Sequence, residues 1–226
     1  LVASVKSVTA RRRRLGSGRI AGVRFTRAEL EEYRDCEVDD LVGPGLRLLF
    51  VGINPGLWTA AVKTHFAHPT NRFYPALAAA GITDYEVDRV AGMTDADRAH
   101  LVARGVGITN LVRRATARAS ELSREELSEG GGRLQRFVNE HRPAVVAIAG
   151  VTAYRDAFGE RGAALGRQPD TLDSAARWSG AALWVVPNPS GLNAHETVAT
   201  LAAAYAAPAA EAGVIGPATV KTPGGR

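Results

Sequence analysis

Two short segments hold side chains suited to chemistry: Gly52-Ile53-Asn54-Pro55-Gly56 and Asn188-Pro189-Ser190-Gly191-Leu192-Asn193. An asparagine amide offers two donors and one acceptor and has no useful titration. It can orient a water or hold a polar edge, but it cannot take a proton as a carboxylate would. Taken singly, Asn-Pro with glycine is ordinary turn chemistry. Here each of the two ends an apolar run, which shifts the balance from turn toward site. Other chemistries lack their residues. There is no Gly-x-x-x-x-Gly-Lys-Ser/Thr and no Gly-x-Gly-x-x-Gly to cradle a nucleotide. Ser190 does not sit in a Gly-x-Ser-x-Gly elbow. His65 and His68 read as loop histidines, and no Cys/His/Asp cluster completes a zinc site around them.

The elements that must position these residues follow from hydrophobic patterning. Apolar runs at 48–53, 106–112, 144–149 and 181–186 predict four buried strands. Helical stretches are predicted from Thr26, which makes a capping box with Glu29, through about Asp35. Others are predicted over 71–80, 120–138 with a break at Gly130-Gly131-Gly132, 152–158 and about 196–206. Continuous apolar strands separated by helices imply a parallel sheet covered on both faces. The expected fold is therefore three-layer α/β/α with a central, mainly parallel four-stranded sheet. In such folds ligands bind beyond the carboxyl ends of the strands, where both Asn-Pro segments lie.

Composition sets the frame. The 226 residues are 46% hydrophobic, enough for one full core, and the single cysteine, Cys36, excludes an internal disulfide. No apolar run approaches ~20 residues, so no membrane span is expected. Of the 28 basic residues, seven lie in residues 1–25, which hold no acid; the rest of the chain has 21 basic and 23 acidic residues. The expected organisation is a disordered basic arm over 1–25, one domain over 26–206, and a disordered Ala/Pro/Gly tail over 207–226. The arm suits phosphate contact, and a solvated tail without a partner fits the same charge.

Four segments together resemble the mismatch-specific uracil-DNA glycosylases, which are similar to thymine-DNA glycosylases. They are Gly52-Ile53-Asn54-Pro55-Gly56; Phe66-Ala67-His68-Pro69 with Asn71-Arg72-Phe73; Gly107-Ile108-Thr109-Asn110-Leu111-Val112 with Arg114 and Thr116; and Asn188 to Asn193. The resemblance covers about 48–206. It implies a uracil-DNA glycosylase-like fold and a cofactor-free, monomeric hydrolase of double-stranded DNA holding a G:U or G:T mismatch or a damaged pyrimidine. A bacterial cytoplasmic setting with the nucleoid goes with it. By the same resemblance Asn54 positions the attacking water, and Phe66 stacks on the flipped base. Asn188 holds the pyrimidine edge, and Ile53 and Thr59 line the base site, Thr59 near the 5-position. Leu192 fills the gap in the duplex, flanked by Gly191 and Asn193, which read the unpaired guanine. The resemblance departs at Ala194-His195, where bacterial relatives often carry an arginine, and over Leu57 to Thr64. A non-catalytic lesion-binding protein of the same fold, or a glycosylase for another damaged base such as hypoxanthine, fits the same residues.

Overall fold

The computed structural model describes residues 23–171 and 176–216. Four strands run parallel: β1 (Leu48–Gly52), β2 (Val106–Asn110), β3 (Val145–Ala149) and β5 (Ala182–Val186). A fifth, β4 (Gly166–Arg167), pairs antiparallel with β5 at the edge, giving the order β2-β1-β3-β5-β4. The expected four-stranded sheet is thus a mixed five-stranded one. A two-residue edge strand is too short to leave a hydrophobic period in a sequence.

β1, β2 and β3 are buried at every position. Alternation divides their side chains between two cores. Leu48, Phe50, Val145 and Ala147 face α3 (Phe73–Ala79), α4 (Asp95–Ala103) and α7 (Val198–Glu211). Leu49, Val51, Val146 and Ile148 face α5 (Arg124–His141) and α6 (Val151–Phe158). The three-layer expectation therefore holds. Two further helices, α1 (Arg27–Glu31) and α2 (Leu57–Val62), pack on each other beside the site end of the sheet.

Several boundaries depart from expectation. α1 starts at the Thr26–Glu29 capping box but ends at Glu31. α5 runs unbroken through Gly130, Gly131 and Gly132. A Cβ at Gly130 would lie 2.5 Å from the Leu111 carbonyl oxygen, and one at Gly131 would lie 2.8 Å from that of Ala157. These glycines allow close helix packing and do not break the helix. The expected tail is also shorter. α7 continues to Glu211, and Pro208, Ala209, Ala212 and Val214 are buried. At the other end, Phe25 of the expected arm packs edge-on against Trp58, with ring centroids 4.9 Å apart. Residues 1–22 and 217–226 lie outside the described residues. Among the described residues no helix is long and apolar enough to cross a membrane.

Candidate active site

β1 and β2 continue past their carboxyl ends as a paired ribbon. Leu111 N–H donates to Gly52 O, Val112 N–H to Ile53 O and Thr116 N–H to Pro55 O, at 2.9 to 3.1 Å. This lays Asn54 alongside Arg114 and Thr116. The Asn54 Nδ2 donates to the carbonyls of Pro55 and Arg114, both at 3.1 Å, and to Thr116 Oγ1 at 2.8 Å. Thr116 Oγ1 gives its own proton to Arg118 O at 2.8 Å. Every neighbour of the amide nitrogen is an acceptor, so the NH2 must face them and Oδ1 faces away. Oδ1 takes no hydrogen bond among the described residues and remains an acceptor for a water.

Arg114 is itself anchored. Its guanidinium donates through Nε and Nη2 to both oxygens of Glu126, at 2.5 and 3.1 Å, and through Nη1 to Asp35 at 3.0 Å. The fork holds the Glu126 carboxyl down to about 2. Glu126 also caps the start of α5 through Ser123. The carbonyl that orients Asn54 therefore belongs to a residue clamped between α5 and the turn that follows α1.

The cleft into which these residues face has a volume of about 550 Å³. Ile53, Asn54, Thr59, Phe66, Asn188, Leu192 and Asn193 all line it. Of the sequence-predicted residues only Gly191 is absent from the lining. It lies tight against Thr70, whose Oγ1 would be 2.2 Å from an added Cβ. No carboxylate is among the lining residues.

Phe66 holds a left-handed backbone, φ +56°. Such a conformation costs a bulky residue about 1–3 kcal/mol and persists only where the surroundings impose it. Its ring stacks on Phe73 at 4.1 Å. Thr59, 4% exposed, accepts from Ala67 N–H at 3.3 Å and so ties down the segment carrying Phe66. Asn188 makes the Asx-turn that its type predicts, its Oδ1 accepting from Ser190 N–H at 3.0 Å. That leaves Nδ2 as its donor to the cleft. The turn reading of Asn188 is thus met, and the residue also lines the cleft.

Two features escaped sequence reasoning. His65 lies in a loop as expected but is buried there, 1% exposed. Its Nε2 lies 3.0 Å from Asp39 O, so it carries the proton. Its Nδ1, bare in the neutral ring, accepts from Asn110 Nδ2 at 2.9 Å. Burial, first among the causes, pushes the His65 pKa down and keeps the ring neutral. Asn110 lines the cleft, and its amide is oriented so that Oδ1 is its acceptor. Gly52 makes room for it: a Cβ there would lie 2.3 Å from that oxygen. The second feature is Arg72. It donates to Ser190 O and Asn193 O, both at 2.7 Å, and to Glu196 O, while its own N–H donates to Pro189 O at 3.0 Å. It binds the second segment to the start of α3. Leu192, at the crest of that segment, is 90% exposed. The only sequence signal was that Asn110 and Arg72 stand inside the motifs, with His65 directly before one.

A mixed, mainly parallel sheet with an amide-lined, polar cleft at the carboxyl ends of its strands defines an α/β domain. The family model for the uracil DNA glycosylase superfamily matches residues 40–208, and the chain belongs to that superfamily. DNA glycosylase chemistry and a DNA partner go with that membership. A solution NMR structure of a proposed uracil DNA glycosylase from Methanosarcina acetivorans is similar in fold. Its TM-score is 0.50 at 14% identity, over 76% of this chain and 98% of that one.

Proposed function

We propose that this protein removes uracil opposite guanine from double-stranded DNA, as a monofunctional, cofactor-free monomer. Thymine and ethenocytosine opposite guanine are further candidate substrates. The observation that carries the reading is the pinned Asn54 amide in a cleft whose lining holds no carboxylate. Base excision requires the nucleotide to leave the stack. Leu192 fills the gap, and Phe66 stacks on the extruded base. Asn54 Oδ1 accepts a hydrogen bond from the water and turns its lone pair toward the sugar carbon. The water oxygen bonds to that carbon, the N-glycosidic pair departs with the base, and the water's proton is lost to solvent or base. No side chain here takes that proton as a strong base would, so the rate rests on stabilising the base anion. Asn188 Nδ2 donates to a ring carbonyl, and Asn110 Oδ1 accepts from the adjoining N–H. That pair suits uracil and thymine. It suits equally the carbonyl and N–H of hypoxanthine, which supports the second reading.

The test is a panel of duplexes with uracil, thymine, ethenocytosine or hypoxanthine, plus single-stranded uracil DNA, scored for abasic sites. Uracil opposite guanine is expected to be cleaved fastest, and no abasic product from any substrate would overturn the proposal. Asn54→Ala is expected to lose cleavage by 100-fold or more, on the order of 3 kcal/mol, while keeping duplex affinity. Leu192→Ala is expected to slow cleavage of duplex and leave single strand nearly unchanged.

A further inference from the structure

Beside the cleft lies a wider groove of about 1080 Å³. Its walls are α1, the start of α2 and the 117–121 segment, with Leu30, Leu57 and Trp58 as apolar surface. Groove and cleft are continuous, because Gly56, His68, Ala117 and Arg118 line both. The charge along the groove is arranged by pairing. Arg34 bonds Glu121 at 2.6 Å and also pairs with Glu31, so one guanidinium engages both carboxylates of the lining. Arg27 and Arg118 are exposed and form no ion pair among the described residues. The lining is thus net positive, and two cations free of ion pairs among the described residues stand over an apolar floor, one of them at the mouth of the cleft.

A nucleotide drawn into the cleft keeps its phosphates, and its strand must leave through an opening. We propose that this groove carries the lesion strand on one side of the flipped nucleotide, with Arg118 on the phosphate at the junction and Arg27 on one farther out. The apolar floor meets the sugar faces. The inference rests on the glycosylase reading above and adds to it the path of one flank of the strand. Continuity with the cleft, and cations left over after every lining carboxylate is paired, favour a polyanion over a peptide.

The experiment measures binding of Arg118→Ala, Arg27→Ala and wild type to duplex DNA holding 2′-fluoro-deoxyuridine opposite guanine, across roughly 50 to 200 mM salt. Each variant is expected to weaken binding about three- to tenfold at low salt and to flatten the log–log salt slope by about 0.9, the loss of one phosphate contact. Both side chains are exposed, so folding should be intact. Arg161→Ala is the charge control. It follows α6, which leads away from the site to the opposite end of the sheet, and it should change neither quantity. Trimming the duplex from one side of the lesion is expected to abolish the Arg27→Ala effect, and trimming from the other side to preserve it. An unchanged slope in both variants, while wild type binds and cleaves uracil DNA, would overturn the groove assignment and leave the glycosylase reading standing. So would weakening that ignores both salt and the trimmed side, which is the result expected of a protein-docking groove. Failure of wild type to bind or cleave any substrate would overturn both.

Discussion

At the scale of single residues, the site works by fixing which end of each amide faces the cleft. Asn54 is turned by three acceptors, Asn188 by the Ser190 N–H and Asn110 by the bare nitrogen of His65. The last of these is sensitive to pH. Burial lowers the His65 pKa below its ordinary value, about 6.5 in an unfolded chain. The unfolded state therefore binds the extra proton first as pH falls. The stability contributed by neutral His65 is fully present above about 6.5 and is lost as pH drops through the folded-state value. Protonation also removes the acceptor that orients Asn110. Melting temperature should therefore begin to fall below about pH 6.5, uracil cleavage should fall at lower pH as the folded ring takes up its proton, and His65→Gln should flatten the stability part of that fall. His68, whose pKa is also lowered, first by burial and then by Arg89, needs its own His68→Asn control. An unchanged profile in His65→Gln would place the linkage elsewhere. Asn54, Phe66, Asn188 and Leu192 were legible in sequence because their types and motif places are distinctive. His65 and Asn110 were not read as a pair, since 45 residues separate them and neither type alone predicts burial.

At the scale of elements, the strands were legible because each is a continuous apolar run, and their ends fixed where the two segments meet. α2 escaped because it is six residues long and begins directly after a turn signal. α4 escaped although Thr94 and Asp97 form a capping box. The glycines of α5 were misjudged for a physical reason. Glycine costs a helix about 1 kcal/mol relative to alanine, and that cost was read without the packing that offsets it. Gly130→Ala should therefore destabilise the protein despite its gain in helix propensity, because the added carbon meets a backbone oxygen and not a yielding side chain. Overpacking of this kind costs about 1–3 kcal/mol. A fall in melting temperature of about 3 °C or more is expected, and a rise would mean that α5 can slide away from Leu111. Gly132→Ala, where the nearest atom is the Arg136 side chain at 3.7 Å, should stabilise slightly.

At the scale of the whole molecule, the two faces of the sheet are closed differently. α5 and α6 cover one face. The other depends on α7 and the turn after it. Arg47 donates to Gly213 O and Arg104 to Val214 O, while Glu211 accepts from Trp184 of β5 and Arg167 of the edge strand β4. An Ala/Pro/Gly-rich stretch reads as a tail by composition, yet alanines let a helix lie close on a sheet. Ending the chain after Ala206 is expected to lower the melting temperature by several degrees and to broaden the transition. A fully cooperative transition at the original temperature would return residues 207–216 to the status of a tail. Residues 1–22 hold six of the basic residues, and Phe25, shortly after them in sequence, packs beside Trp58 of the groove.

The lashing of the second segment by Arg72 has a calorimetric consequence. Leu192 stands in water on a segment whose carbonyls at 189, 190, 193 and 196 are already tied to one arginine. The cost of ordering that segment is met during folding and not again at each encounter with DNA. Binding to undamaged duplex should then show a modest heat-capacity change, without the large negative entropy of a segment that folds on contact. A probe that arrives already shaped can test a base pair and leave, which suits a protein that must pass over a great many sound pairs to find one that is not.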